Sequence, residues 1–301
     1  MNNHVPLSVP THHVKNRWLA HLNLEFSLTD HGSQLTKTKR LGPLSVQKAF
    51  YPEGKDCAHI YLLHPPAGIV SGDELRVSIT NKPGAHSLIT TPGGNRFYRA
   101  REDLNIGDTK QLQITTLNID EQAKCENFPL ETIVYNGADG FNQVDIHMQQ
   151  SSVYLGWDIT CLGLPSSEQP FDKGTYTQLN RIFCENKLIY HDRIVINAEN
   201  QLLKQSAGLN NNSVFATFLV YAPTQLNDKA QRKTLVENLR EKITDEDAQS
   251  LLSITDIEGL LVIRYLGSQA AQCKQLFIIL WQVLRPVILD KVGLQPRIWH
   301  T

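Results

Sequence analysis

The feature that most constrains the fold of this chain is a series of short segments in which apolar and polar residues alternate. Such alternation runs through residues 75–80 and 144–149, and Pro and Gly within 81–84 mark a turn after the first segment. A period of two places every second side chain on one face of a strand. Many short strands separated by turns are typical of a mainly β body, and the absence of strand–helix alternation in this part of the chain disfavours a parallel α/β sheet.

The pattern changes after residue 213. Apolar residues at helical spacing predict a helix over 227–243, with Asp228 as its N-cap, and a second helix over 269–284 that Pro286 ends or kinks. Two apolar runs between these helices read as a pair of strands. We therefore divide the chain into three parts: a flexible leader at 1–16, a β-rich body at 17–213, and an α+β portion at 214–301 that packs on the body and carries two helices.

The composition excludes several classes of protein. The net charge is −1 and no run rich in Lys or Arg occurs, which argues against nucleic-acid binding and fits a chain that works inside a complex. The longest apolar run, 276–281, is far too short to span a membrane, and the N-terminus lacks the pattern of a signal peptide. The five cysteines include no CxxC pair and are odd in number, so we expect free thiols in the cytoplasm.

Two Pro/Gly-rich segments stand out. In the first, at 64–73, prolines fix the backbone and glycines permit close approach, and Asp73 closes the segment just before a strand. Asp73 either bonds the backbone amides of a rigid turn or offers a carboxylate to a cation at the edge of a cavity. The second segment, at 90–99, lacks the lysine of a phosphate-binding loop. Its arginines and aromatic residues are more typical of an interface or a structural cap.

Three acidic residues are embedded among apolar ones. Glu131 precedes the segment Thr132-Ile133-Val134, Asp158 follows a tryptophan, and Asp192 lies between two apolar strands. Each carboxylate can face solvent or pair with a basic neighbour. Several of them along one interior path would require cations or water, because a buried charge without a partner is costly. No nucleophile elbow, HExxH helix or cysteine-nucleophile motif accompanies them.

The order of motifs resembles the urease accessory protein D family along nearly the whole chain. The matching segments are GPLSVQKAFYPEG at 42–54, YLLHPPAGIVSGDEL at 61–75, LITTPGGNRFYRA at 88–100, FPLETIVYNGA at 128–138, GWDITCLGLPSSEQPFDKG at 156–174 and PRIWHT at 296–301. The resemblance implies a mostly β fold with stacked strands and few helices. We therefore expect an elongated β body, either β-helix-like or built of layered sheets.

The resemblance also implies a function. Members of this family are maturation factors without enzymatic activity of their own. They act as a scaffold or metallochaperone component that joins apo-urease to the accessory proteins F and G, the latter a GTPase, and passes nickel to the urease active site through an internal, water-filled route. We expect transient Ni²⁺ and no tightly bound cofactor, in a cytoplasmic hetero-oligomer for which dimerisation through the F protein is one option.

Site residues carry over by motif. Asp73 matches the family's aspartate after the HPPxGIVxGD glycine, Asp158 matches the acid of the tryptophan–aspartate pair, and Asp192 falls where the family has an acid before arginine. These three are the candidates for the nickel route, with His64 and Glu131 as secondary candidates. A further set is assigned to structure or partner docking: Arg96, Tyr98 and Arg99.

The sequence departs from the family pattern in two places. Asn127-Phe128-Pro129-Leu130 stands where the family reads tryptophan–leucine–proline–glutamine, and Ala67 and Ser71 replace glycines. None of these changes removes a candidate acid.

Two alternatives to the maturation role stay open. A stand-alone carbohydrate-active enzyme would place two carboxylates about 5–10 Å apart in an open cleft. A metal-storage or sensing protein would need a compact set of His, Cys or carboxylate ligands, which the local spacing does not show.

Overall fold

The computed structural model describes residues 17–197, 199–243 and 246–300, so the predicted leader at 1–16 lies outside the described residues. Its strands, numbered along the chain, form two sheets. The seven-stranded first sheet consists of β1 (Trp18–Thr29), β2 (Gly32–Leu41), β5 (Asp73–Asn81), β8 (Gln111–Ile119), β11 (Asp139–Met148), β13 (Thr175–Cys184) and β14 (Lys187–Asn197). The ten-stranded second sheet consists of β3 (Ser45–Val46), β4 (Ala58–Leu63), β6 (His86–Thr90), β7 (Asn95–Phe97), β9 (Lys124–Phe128), β10 (Thr132–Val134), β12 (Val153–Leu162), β15 (Val214–Tyr221), β16 (Leu252–Ile257) and β17 (Leu260–Gly267).

The chain builds the two sheets by coiling from one to the other. From β4 to β13, leaving aside the short β7 and β10, each strand belongs to the opposite sheet from the strand before it. Neighbouring strands of one sheet over this stretch are therefore parallel, as in the β5–β8, β8–β11, β6–β9 and β9–β12 pairs. The prediction of a mainly β fold with layered sheets is confirmed.

Alternation along β5 confirms the period of two that the sequence predicts. Leu75, Val77 and Ile79 are buried in the core between the two sheets, whereas Arg76 and Ser78 between them are only partly buried.

One interpretation of the sequence is wrong in detail. Asp192 lies inside the continuous strand β14 rather than between two strands, because β14 pairs with β13 along its length, with one register shift.

The C-terminal portion extends the second sheet. Strand β15 pairs antiparallel with β12 over 154–161, and β17 and β16 follow it at the edge of the sheet. The predicted strand pair between the helices is thus confirmed as β16 and β17. The boundary at residue 213 falls at a change of topology inside one sheet, and the division into domains stays a prediction.

Three helices cover the outer face of the second sheet or lie beside it: α1 (Lys229–Lys242), α2 (Glu246–Ser250) and α3 (Ala270–Leu289). The Asp228 carboxylate accepts a hydrogen bond from the Ala230 amide at 2.8 Å, so the predicted N-cap of α1 is confirmed. The predicted end of the last helix at residue 284 is wrong. Helix α3 continues through Pro286, because Ile288 and Leu289 in its last turn are buried against the sheet core.

The second sheet is buried on both faces. One face shares an apolar core with the first sheet, and the other packs against α1 and α3, where Trp157, Phe277 and Trp281 meet. A strand covered on both sides has no face that tolerates solvent, which explains why β12 is apolar at almost every position. In the part of the chain that the structure describes, no helix is both long enough and apolar enough to cross a membrane.

Candidate functional site

Three cavities adjoin one another along the inner face of the second sheet, with volumes of about 510, 90 and 350 Å³. The first and second cavities share Asp158, Asn180 and Thr217 in their walls. The smallest cavity therefore lies between two larger ones and touches both. The second and third cavities share a further set of wall residues: Leu62, Val77, Thr91, Asn95 and Gln113.

Asp158 stands where the first two cavities meet. Its Oδ2 accepts a hydrogen bond from Gln178 Nε2 at 2.8 Å, and a longer contact of 3.4 Å joins it to Asn142 Nδ2. Among the described residues, no basic side chain forms an ion pair with this carboxylate. Burial raises the pKa of Asp158 to about 6, although the hydrogen bonds from Gln178 and Thr160 oppose the rise. Asp158 is thus a carboxylate that has hydrogen-bond donors but, among the described residues, no cationic partner.

Asp192 lines the first cavity. Its Oδ2 lies 3.1 Å from Nη2 of Arg264, which is about half exposed, and accepts a hydrogen bond from the Tyr190 hydroxyl at 3.2 Å. Register places Asn180 of β13 opposite Asp192, and Asn180 lines both the first and second cavities. The structure therefore brings two of the three predicted route acids, Asp158 and Asp192, to the walls of one cavity.

His64 lines the third cavity, at the far end of the series. Both of its ring nitrogens are buried and lack a hydrogen-bond partner among the described residues. Burial lowers the pKa of His64, so the imidazole is neutral at neutral pH and offers a free lone pair. The wall that the second and third cavities share carries two amide side chains, Asn95 and Gln113. Asn95 Nδ2 donates a hydrogen bond to Gln113 Oε1 at 2.8 Å.

Asp73 lies elsewhere. Its Oδ2 accepts a hydrogen bond from the Val70 amide at 2.9 Å, which closes the turn before β5. Burial raises the pKa of Asp73, while the Val70 amide and the Arg101 charge act in the opposite direction. Asp73 is not among the residues that line the three cavities, and its place on a nickel route stays a prediction. The same holds for Glu131, whose backbone oxygen accepts a hydrogen bond from the Asn95 amide at 2.9 Å.

The two Pro/Gly-rich segments pack against each other. The Ile69 amide donates to the Arg96 carbonyl at 2.7 Å, and the Tyr98 amide donates to the Ile69 carbonyl at 3.0 Å. The Arg96 guanidinium reaches the Ala67 carbonyl at 3.3 Å and lines the third cavity. Arg99 is exposed and forms an ion pair with a carboxylate three residues later. The structural or docking roles of Arg96, Tyr98 and Arg99 stay predictions.

Gly68 is required by this packing. A Cβ at Gly68 would lie 2.3 Å from Cε2 of Tyr98, and the Tyr98 ring is itself held against Tyr135 at a centroid distance of 5.2 Å. We expect Gly68→Ala to lower the free energy of unfolding by about 1–3 kcal/mol, the usual cost of overpacking. Chemical denaturation measures this loss. Gly93→Ala is the matched control, because nothing lies within 4 Å of a Cβ there, and an equal loss in both variants would contradict the proposed contact.

A second polar cluster lies on the other face of the sheet, and the sequence analysis missed it. The fully buried Arg285 of α3 forms ion pairs with Glu53 at 2.6 Å and with Glu126 at 3.0 Å. His59 Nε2 lies 2.6 Å from Glu53, and His86 Nε2 lies 2.9 Å from Glu126. One sequence signal pointed to the cluster, since an arginine follows Leu284 on a face of α3 that is otherwise apolar.

The charges of this cluster stabilise one another. Burial alone would raise the pKa of Glu126, but its hydrogen bond with His86 and the charge of Arg285 outweigh burial and bring the pKa to about 2. The pKa of Glu53 is lowered in the same way by His59 and Arg285 despite burial. Two carboxylates therefore remain ionised in the protein interior around one guanidinium.

Comparison with known proteins finds one family over nearly the whole chain. The model of the family described as UreD urease accessory protein matches residues 19–300. The chain is 67% identical to the urease accessory protein UreD of Psychromonas ingrahamii, with 95% of each chain covered. It is 38% identical to the UreD protein of a Marinomonas species over 95% of this chain and 91% of that protein. The UreD protein of Dechloromonas aromatica is 33% identical and is covered completely, as is this chain.

Proposed function

The chain belongs to the UreD family of urease accessory proteins, and from this membership we propose that it passes Ni²⁺ to apo-urease through its interior. In this role it is a scaffold and metallochaperone component rather than a catalyst. The observation that carries the proposal is the series of three adjoining cavities, with an unpaired carboxylate, Asp158, at the junction of the first two.

The chemistry of the walls suits transit better than storage. Carboxylate, amide and imidazole groups are all ligands that a divalent nickel ion accepts. They are spread along the series, with Asp192 in the first cavity, Asp158 at the first junction and His64 in the third cavity. An ion therefore meets few protein ligands at any one point and keeps part of its water shell. We propose that Ni²⁺ binds weakly at each station and moves on, with no cofactor bound permanently.

Arg264 gives the first cavity a second property. Its guanidinium neutralises Asp192 when no other cation is present, and its exposed position allows it to swing into solvent. We propose that an arriving Ni²⁺ displaces Arg264 from Asp192 and is then drawn inward by Asp158, which has no such partner. The order of the two acids thus gives the path a direction, from an acid that already has a cation to one that does not.

A glycosidase-like enzyme is less well supported. Paired catalytic carboxylates act from both sides of an open cleft, whereas Asp192 is paired with Arg264, and Asp158 is a partly buried residue between two cavities that is hydrogen-bonded to Gln178. Membership of an accessory-protein family also favours the maturation role. The free state of all five cysteines supports a reducing compartment, and we place the function in the cytoplasm.

The proposed partners are apo-urease and the accessory proteins F and G, with G supplying the nickel. We expect a tagged form of this chain, purified from cells that co-express the whole urease operon, to bring down urease subunits and both accessory proteins. Mass spectrometry of the captured complex is the measurement. Recovery of the chain without urease and without F or G, from cells that contain active urease, would contradict the scaffold role.

A further inference from the structure

In the buried cluster around Arg285, a single guanidinium contacts the carboxylates of both Glu53 and Glu126. Arg285 contacts Glu53 through Nη1 and Nη2, at 2.6 and 2.8 Å, and contacts both carboxylate oxygens of Glu126 at 3.0 to 3.2 Å. The Trp281 indole also donates to Glu126 at 2.7 Å. The side chains of Arg285 and Glu126 are fully buried, and that of Glu53 is 8% exposed. The cluster is therefore closed to solvent and held together by a built-in cation.

The same cluster brings together side chains of the types that ligate metals. Ligand atoms of Glu53, Cys57 and His59 lie within 4.8 Å of one another, and so do those of Cys57, His86 and Glu126. The Cys57 sulfur is common to both groups, so two adjoining groups share one thiol and together hold two imidazoles and two carboxylates. His59 adds an independent sign of unused capacity, because its Nδ1 is buried without a hydrogen-bond partner among the described residues.

We propose that this cluster is a latent site for a thiolate-binding divalent metal, and that the Arg285 guanidinium keeps it closed. The guanidinium occupies the carboxylate oxygens that a metal would take, and its positive charge repels a second cation a few ångströms away. The composition of thiol, imidazole and carboxylate is one that holds Ni²⁺, Co²⁺ or Zn²⁺ tightly. Arg285 therefore acts as an internal substitute for the metal.

Closure has a purpose if the proposed function is correct, and this part of the inference rests on it. A chain that passes Ni²⁺ along weak oxygen and nitrogen ligands must not hold a stronger, sulfur-containing site that retains the ion. The carboxylates cannot simply be removed, because Glu53 and Glu126 tie the segment before β4 and the strand β9 to helix α3 through Arg285. Because Arg285 supplies the positive charge, these links are kept and Ni²⁺ is excluded from the site.

Opening the site requires a defined exchange. When Arg285 is replaced by a neutral residue, an entering M²⁺ binds the carboxylates and imidazoles, and the Cys57 thiol becomes a metal thiolate. The proton of the thiol leaves to solvent, so one M²⁺ enters for each proton released, and no oxidation or reduction takes place.

Arg285→Gln tests the proposal, with Co²⁺ as the probe because its thiolate complexes absorb light through charge transfer. We expect the purified variant to bind one Co²⁺ per chain with a thiolate absorption band, and its affinity at this site to exceed that of the unaltered protein by about 100-fold. Cys57→Ser in the same background should remove the band. Arg285→Lys is the matched control, since it keeps a positive charge and should bind no Co²⁺ through sulfur.

Two outcomes would overturn the proposal. A folded Arg285→Gln variant, verified by circular dichroism, that binds no Co²⁺ through Cys57 shows that the cluster is not a metal site. A thiolate band in the unaltered protein that Cys57→Ser removes shows that Arg285 does not close the site, and this second measurement stands even where the Gln variant fails to fold. None of these readouts involves urease, so failure here and failure of the proposed nickel transfer are distinguishable.

Discussion

Asp158→Asn is expected to lower nickel-dependent urease activation strongly while making the protein itself more stable. The substitution keeps the shape of the side chain and a carbonyl oxygen for the hydrogen bond from Gln178, but it removes the one unpaired carboxylate at the junction of the first two cavities. Loss of a carboxylate–cation contact worth about 1.4 kcal/mol corresponds to a factor of about ten. Urease activity in cells carrying the operon with this variant, at limiting nickel, is the measurement.

The gain in stability follows from the pKa of Asp158. Burial raises this pKa from an ordinary value of 3.8 to about 6, so the folded protein binds the proton more tightly than the unfolded chain does. The ionised form therefore destabilises the folded state above pH 6, and this penalty disappears below about pH 4, where both states are protonated. At pH 8 we expect Asp158→Asn to raise the free energy of unfolding by about 1–3 kcal/mol, and the difference from the unaltered protein should narrow as the pH falls through 6.

Asp145→Asn is the matched control for Asp158→Asn. Asp145 is also largely shielded from solvent, but it forms a bidentate ion pair with Arg181, at 2.7 Å for each bond, and it is not among the residues lining the three cavities. Its replacement should destabilise the protein and leave urease activation per folded chain unchanged. If Asp158→Asn supports full activation at limiting nickel, or if both variants lose activation equally, Asp158 is not part of the route.

The sequence predicted the fold well because the β pattern is local. Alternation at 75–80 and the turn after it require only neighbouring residues, and both are confirmed in β5 and the turn to β6. The sequence did not predict that the chain passes back and forth between the two sheets. It depends on which strands pair in parallel, such as β5 with β8, and these pairs join residues about 40 positions apart.

For the candidate site too, local motifs identified single residues but did not predict which of them lie close together. Asp158 and Asp192 were identified individually by motif, but their presence on one cavity wall results from the pairing of β13 with β14 and of β12 with β15. The Arg285 cluster was missed because its members come from segments far apart, with Glu53 and Arg285 separated by 232 positions. Glu53, Cys57 and His59 do lie within one seven-residue segment, but only the pairing of β4, β6 and β9 and the contact with α3 bring His86, Glu126 and Arg285 to them.

Thr217→Leu is expected to block the route and reduce urease activation to the level of cells that lack this chain. Thr217 lies directly opposite Asp158 in the pairing of β12 with β15, and it lines both the first and the second cavity. The second cavity has a volume of only about 90 Å³, so the longer, branched leucine side chain fills the connection and replaces a hydroxyl with apolar surface. We expect a stability cost of about 1–3 kcal/mol from overpacking, which leaves the protein folded at growth temperature.

Thr217→Val separates blockage from the loss of the hydroxyl, because valine has nearly the shape of threonine. It should retain most urease activation, whereas Thr217→Leu should not. Capture of urease and the accessory proteins F and G by each tagged variant shows whether the complex still assembles. Loss of activation with the complex intact is the expected result for leucine, since the assembly surface is untouched while the interior is closed. Normal activation by Thr217→Leu in an assembled complex would mean that nickel does not pass between Thr217 and Asp158.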